Sequence, residues 1–455
     1  MAKFRLNKIT FKTFIVMAIP LALQNLVTTS VSLADNLMVG ALGDGAIATV
    51  NLANQFFFIF NLMIFGMGSG SAVLMAQFWG KREISGMRKV AGLSFFLALF
   101  IGSLFGLISF MFPSAIMKIF SADPSVIEGG IVYIRIIAVT YPLTAATMVV
   151  SYLLKSSEEV KIPLVASALS ILINICFNYL LIFGKFGFPK LGIAGAAYAT
   201  LLARVFECTF IYIVSFIKIN FLRENIKDYI SFKKELFINY IKTSCPVILN
   251  ETLWSLGISF YFVVYSRIGA TPEDGTAAVA AVNVSSLAEK LSSVFIFGMS
   301  HAVSIIIGKE IGSGRMRRAR FNAWQFSILS PCIGVIFGII MVLFMPIFIS
   351  FFAVSPQAEI YARHLILILA FALPIKNFNL VNIVGVFRGG GDTVYSCLLD
   401  VLGVWCIGIP SAAITGFLLK MPLEMVFMST LIEELVKFFL IIKRLKSGKW
   451  VHYLV

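Results

Sequence analysis

Residues 43–73 read GDGAIATVNLANQFFFIFNLMIFGMGSGSAV, and residues 273–303 read EDGTAAVAAVNVSSLAEKLSSVFIFGMSHAV. The two stretches share a DG pair 230 residues apart and an IFGM tetrad 232 residues apart. Pro142 and Pro374 keep the 232-residue offset, each midway along an apolar run. KSSEEVKIP at 155–163 and RGGGDTVYS at 388–396 fill corresponding breaks. Self-similarity at a fixed offset marks a chain built twice from one unit. The halves are 1–225 and 237–455, joined by a charged linker over 226–236.

What is repeated is apolar. Of 455 residues, 59% are hydrophobic and 13% charged. With a mean hydropathy of +0.94, a soluble globule is excluded. An apolar helix of about 20 residues crosses a bilayer. Twelve runs of that kind lie near 11–39, 46–76, 87–112, 127–153, 160–183, 192–219, 237–268, 275–307, 319–350, 360–387, 393–417 and 421–442. Their length and lack of alternating polarity read as helices rather than a barrel. Six spans per half is an even number, so both halves run the same way through the membrane. The expected fold is an all-α integral membrane protein, with twelve transmembrane helices in two six-helix lobes related by a parallel repeat. Secondary transporters use such repeats and place substrate between the halves.

The net charge of +15 follows that topology. Sorted onto alternate sides of the twelve spans, Lys and Arg divide 27 to 6, with the richer side holding both termini. The positive-inside rule then places both termini in the cytoplasm of a multi-pass protein of the cell (inner, plasma) membrane. A nucleic-acid role is not expected from charge distributed in this way. MAKFRLNKITFK followed by an apolar run mimics a signal peptide, but the run far exceeds the about 7–15 residues of a signal core. It reads as an uncleaved first helix. The six cysteines fall within spans without a CxxC pair, so buried apolar thiols are expected rather than metal ligands or disulfides. Without HExxH, DDxxD, Walker A or a GxSxG in context, no enzyme activity is expected. No cofactor is expected either.

Ionisable residues inside spans carry the functional reading, because each costs roughly 2.5–3.5 kcal/mol at the centre of a transmembrane helix. Asp35 lies in SVSLADNLMVGALG, residues 30–43. Gly40, Gly43 and Asp44 end the span, which sets Asp35 roughly 7–12 Å inside it at 1.5 Å per residue. Bulk water is out of reach for so short a side chain. Asn174 and Asn178, spaced i,i+4, share one face of the fifth span, and Thr200 in the sixth offers a hydroxyl. One carboxylate among neutral oxygens suits Na⁺, whereas H⁺ needs only Asp35 itself. The asparagines also fit a simple hydrogen-bonding stripe between helices. Pro20, fifteen residues before Asp35, removes a backbone hydrogen bond from the first helix. In the second half, Glu251 pairs with Lys290 or Lys376, or binds an ion. Asp400 pairs with Arg388 or binds substrate. Arg204 and Glu207, i,i+3 in the sixth span, form a private pair. His301 and His364 read as hydrogen-bonded packing. Most of the 44 phenylalanines and 17 methionines face lipid or core, and a minority lines a substrate cavity.

ADNLMVG, NYLLIFGKFG with LGIAGAAYAT, QFWGKRE and FRGGGDT together resemble the multidrug and toxic compound extrusion (MATE) family. The resemblance covers nearly the whole chain. It implies a two-lobed antiporter exporting organic, often cationic, compounds against inward Na⁺ or H⁺ flow, with small molecules and membrane lipids as partners. It also implies an ion site at Asp35, and a bend at Pro20 that shifts as the ion loads. In the family the fifth span often reads N-x-x-x-D, and here Asn178 stands at the acidic position. Glu251 sits where some branches keep a functional acid. Their companion acid in the tenth span is replaced by Asn377 beside Lys376. A flippase of lipid-linked sugars, sharing the superfamily architecture, is the alternative. It would line its cavity with cations, whereas acids predominate here. A monomer is expected.

Overall fold

The structure is a computed structural model that describes residues 8–268, 272–352 and 355–455. The basic residues Lys3 and Arg5 lie outside the described residues. Helices account for the regular structure of the described residues, with one isolated bridge between Gly391 and Val451. In chain order they are α1 (Lys8–Gly40), α2 (Asp44–Lys81), α3 (Ile84–Met111), α4 (Pro113–Phe120), α5 (Pro124–Ile137), α6 (Thr140–Ser156), α7 (Lys161–Phe183), α8 (Ile193–Lys218) and α9 (Asn220–Arg223). Then follow α10 (Lys234–Tyr265), α11 (Pro272–Gly312), α12 (Met316–Ser350), α13 (Pro356–Leu380), α14 (Thr393–Leu402), α15 (Ile409–Ala413), α16 (Leu423–Thr430) and α17 (Ile432–Ser447). The fold is that of an integral membrane protein with two lobes of six spans.

Two of the twelve spans are not single straight helices. The fourth is α5 and α6 together, bent by 46° at a break near Ala138 and Val139. The twelfth is α16 and α17, and it falls outside the ten helices that are long and apolar enough to cross alone. Its two helices are only 8 and 16 residues long, and Glu433, Glu434 and Lys437 near its middle interrupt the apolar run. The tenth and eleventh spans hold π-helical turns at Val381–Phe387, Gly403–Gly408 and Ile414–Leu418. Such wide turns offset the face presented by the residues that follow.

Two compact units result. One is Leu23–Ile248, and the other combines the chain up to Ala22 with Leu249–Val455. The chain passes between them inside α1 and inside α10, each time two residues beyond a proline, Pro20 or Pro246. The repeated IFGM glycines show why. A Cβ on Gly66 would lie 2.7 Å from the Ile248 Cα of α10. One on Gly298 would lie 2.5 Å from the Ala22 nitrogen of α1. Each glycine lets a proline-bearing helix of the other sequence half lie against the backbone of its own unit.

Leu23–Ile248 has a core centred on Phe60, Tyr141 and Phe105, with Phe60 and Tyr141 ring centroids 4.8 Å apart. The other unit packs Tyr261, Tyr265, Leu369 and Phe427. Large apolar side chains such as Phe100, Leu343 and Phe371 are exposed, as hydrocarbon-facing residues are. Four cysteines, Cys176, Cys245, Cys332 and Cys406, are also exposed, and Cys208 and Cys397 are intermediate. This corrects the expectation of buried thiols. A thiol is apolar enough to face lipid as readily as core.

Candidate functional site

Close packing of α8 on α7 builds the first site. Gly192 opens α8 with a positive φ of 56°, and the run IAGAAYA buries Gly195, Ala196, Ala197 and Ala199. A Cβ on Gly195 would lie 2.6 Å from the Leu181 backbone, so only glycine admits this approach. One turn on, Ser170 donates to the Ala203 carbonyl at 2.9 Å. Thr200 is thereby brought to α7.

A continuous chain of side-chain hydrogen bonds follows. Asn178 Nδ2 donates to Asp35 Oδ1 at 2.5 Å and to Asn174 Oδ1 at 3.1 Å. Asn174 Nδ2 donates to Thr200 Oγ1 at 3.4 Å. All four residues singled out in the sequence therefore meet. Asn174 and Asn178 are buried and Asp35 is half-buried. A carboxylate only accepts hydrogen bonds, so Asp35 sets the orientation of the Asn178 amide. That orientation leaves Asn178 Oδ1 buried without a partner. An unpaired buried acceptor costs about 1–3 kcal/mol, and it is the atom a bound cation would satisfy.

Neighbouring groups were not anticipated. Asn54 and Tyr133 hydrogen-bond each other at 3.3 Å, and Tyr133 feels the charge of Asp35. The expected Arg204–Glu207 pair forms at 2.6 Å. Glu207 also accepts from Ser167 at 3.0 Å, and Ser167 from Gln24 at 3.1 Å. Asn54, Gln24 and Ser167 carry no charge, and neutral polar residues in apolar helices leave little sequence signal. Pro20 lies within α1 as expected, with no break in the helix there.

The other unit holds a second group of intramembrane charges, and its pairings correct the sequence reading. Glu251 pairs with Arg388 at 2.7 Å, not with Lys290 or Lys376. Lys376 pairs with Glu289 instead. Asp400 pairs with Lys437 at 2.8 Å, not with Arg388, and accepts from Asn250 at 3.3 Å. The π-helical turn at Val381–Phe387 directly precedes Arg388 and swings it to α10. Lys437 resembles one of the basic residues of the chain end, and only burial at 2% exposure reveals it as internal. His364 meets Glu424 at 2.8 Å. Among the described residues, no group of three His, Cys, Asp or Glu is placed to hold a metal ion.

Comparison with known proteins agrees with this architecture. The MatE family model matches residues 20–180 and 251–414. The Bacillus subtilis (strain 168) "uncharacterized transporter YisQ" is 25% identical, covering 98% of this chain and 95% of its own. The "probable multidrug resistance protein NorM" of Thermotoga maritima is 27% identical, covering 96% and 93%. A crystal structure of MATE in the straight conformation superposes with a TM-score of 0.87 at 21% identity over 97% of both chains. An outward-facing multidrug resistance MATE family transporter of the MOP superfamily also gives 0.87, at 22% identity, again over 97% of both.

Proposed function

The chain belongs to the MatE family, and from that premise we propose a secondary active antiporter that exports organic, chiefly cationic, compounds in exchange for Na⁺ or H⁺. One observation carries this reading: Asp35, an intramembrane carboxylate, has a neutral amide as its hydrogen-bond partner, 2.5 Å away. A charge left in that state is retained for a mobile cation, since a resident counter-ion would otherwise neutralise it. The partnerless Asn178 Oδ1 favours Na⁺, because hard cations draw on several oxygen ligands. Asp35, Asn178, Asn174 and Thr200 would supply them. Pro20 weakens the hydrogen-bond ladder of α1 and gives ion loading a place to bend the helix.

A flippase of pyrophosphate-linked sugars would need free cations. Of the intramembrane cations, Arg204, Arg388, Lys376 and Lys437 are each held by a carboxylate, which leaves Arg135 and Lys290, one in each half, rather than a cluster. The protein is proposed to act as a monomer in the cell membrane, among lipids, with both termini cytoplasmic. Proteoliposomes loaded with a fluorescent organic cation test the function. Efflux without ATP under an imposed Na⁺ or pH gradient is expected, and efflux indifferent to both gradients would overturn it.

A further inference from the structure

Within the unit containing Leu249–Val455, the internal charges do not balance. Glu251 has Arg388, Glu289 has Lys376, and Asp400 has Lys437 at 2.8 Å. Glu434 accepts from the Asn379 amide at 2.7 Å. Glu433, buried at 6% exposure, reaches only the already engaged Lys437, at 3.7 Å. Its second oxygen, Oε2, is buried and no lysine reaches it; its polar neighbour is the Tyr261 hydroxyl. The Tyr261 hydroxyl, on a residue also 6% exposed, is buried with it.

These two groups face each other at one spot. A Cβ built on Gly408 would run into the Tyr261 hydroxyl and lie 2.8 Å from Glu433 Oε2. Five residues earlier, a Cβ on Gly403 would run into Lys437 Cε. Gly403 and Gly408 bound the π-helical turn of the eleventh span. Two glycines on that wide turn thus make flats against which Lys437, Glu433 and Tyr261 lie. π-Turns of this kind recur at functional sites.

We propose that Glu433 is a proton-carrying carboxyl, seated with the Tyr261 hydroxyl against Gly408 beside the Lys437–Asp400 pair. The charged and titratable groups that bear on it are Lys437 and Glu434 on its own helix, Asp400 on α14 and Lys376 on α13. From α10 come Tyr261 and Tyr265. A buried carboxylate that shares its one lysine with another acid is disfavoured in its charged form. A proton removes that charge and lets the carboxyl and the Tyr261 hydroxyl share a neutral hydrogen bond. A metal ion does not fit, because the pocket offers two oxygens and a lysine ammonium stands close by. The consequence for transport, a proton moved independently of Asp35, rests on the antiporter reading above. The protonation itself does not.

The test is infrared spectroscopy of the full chain in lipid vesicles, following the carbonyl stretch of protonated carboxyl groups from acid to alkaline pH. The component of the titrating band that Glu433→Gln removes is expected in the wild type and equally in Asp35→Asn, whether or not that variant transports. If Glu433→Gln does not fold, Tyr261→Phe is read instead, with the midpoint of the band expected to shift. The proposal is overturned by an unchanged band in Glu433→Gln or an unchanged midpoint in Tyr261→Phe. A band abolished by NaCl would overturn it as well, since the site would then take a metal ion.

Discussion

Asn178 gives its amide to Asp35 at 2.5 Å while its own carbonyl oxygen stays buried without a partner. Charge and neutral ligand are thus coupled through a single side chain, and each can be altered separately. Asp35→Asn keeps the shape and removes the charge. Gradient-driven efflux is expected to fall at least tenfold, the equivalent of about 1.4 kcal/mol, at unchanged protein level. Undiminished efflux from that variant would shift attention to the other acids. Asn178→Asp places two carboxylates within hydrogen-bonding distance, and like charges so close do not both stay ionised. Efflux of this variant is expected to depend more steeply on pH and less on Na⁺, which transport under separately imposed gradients reads directly.

The Glu251–Arg388 pair, 2.7 Å apart with Arg388 only 2% exposed, is expected to be structural. Arg388→Gln leaves Glu251 without its partner and is expected to cost about 3–5 kcal/mol, the range for breaking a buried pair. The double change with Glu251→Gln removes both charges and should recover most of that loss. Thermal unfolding in detergent of the two singles and the double gives the coupling. Additive losses would mean that the two residues act separately.

Overpacking the repeated glycines is a third prediction. Gly66→Val and Gly298→Val each push a side chain into a neighbouring backbone, at 2.7 Å and 2.5 Å for the first atom alone. Each is expected to destabilise by about 1–3 kcal/mol and to lower the yield of folded protein on size-exclusion chromatography. Gly45→Ala serves as a control for space, since nothing lies within 4 Å of an added Cβ there and its φ is not positive.

Orientation is tested by labelling. Ser231 and Ser447 are both exposed, so a cysteine at either is accessible to a membrane-impermeant thiol reagent. Reaction is expected from the cytoplasmic side alone. Because four native cysteines are exposed, the background must first be made cysteine-free.

The long apolar runs and the repeat offset made the helices legible, because both are averages over many residues. The cluster around Asp35 was legible for a different reason: one charge in an apolar run stands out, and Asn174 and Asn178 advertise a shared face by spacing. Pairings in the other half were not. Five acids and at least three cations there allow many matches, and the choice rests on π-turns that rotate Arg388 and expose Gly408 to Glu433. A π-turn leaves no mark in composition. Lys437 was hidden by its company, four residues after Glu433 and close to the basic end of the chain.

The two units differ in how they can be made. Leu23–Ile248 is contiguous, so a ribosome delivers all of it before Leu249–Val455 exists. Its partner unit is discontinuous: the first half of α1 emerges first, yet the helix against which it rests, around Gly298, emerges some 275 residues later. Contacts so distant in sequence close last. The opening turns of α1 must therefore wait in the membrane without their final neighbours. An interruption of synthesis after residue 248 would leave a complete six-span body carrying one unhoused helical segment at its front. Two separately expressed halves would each lack a piece of themselves if cut at the linker, and would be whole only when co-expressed.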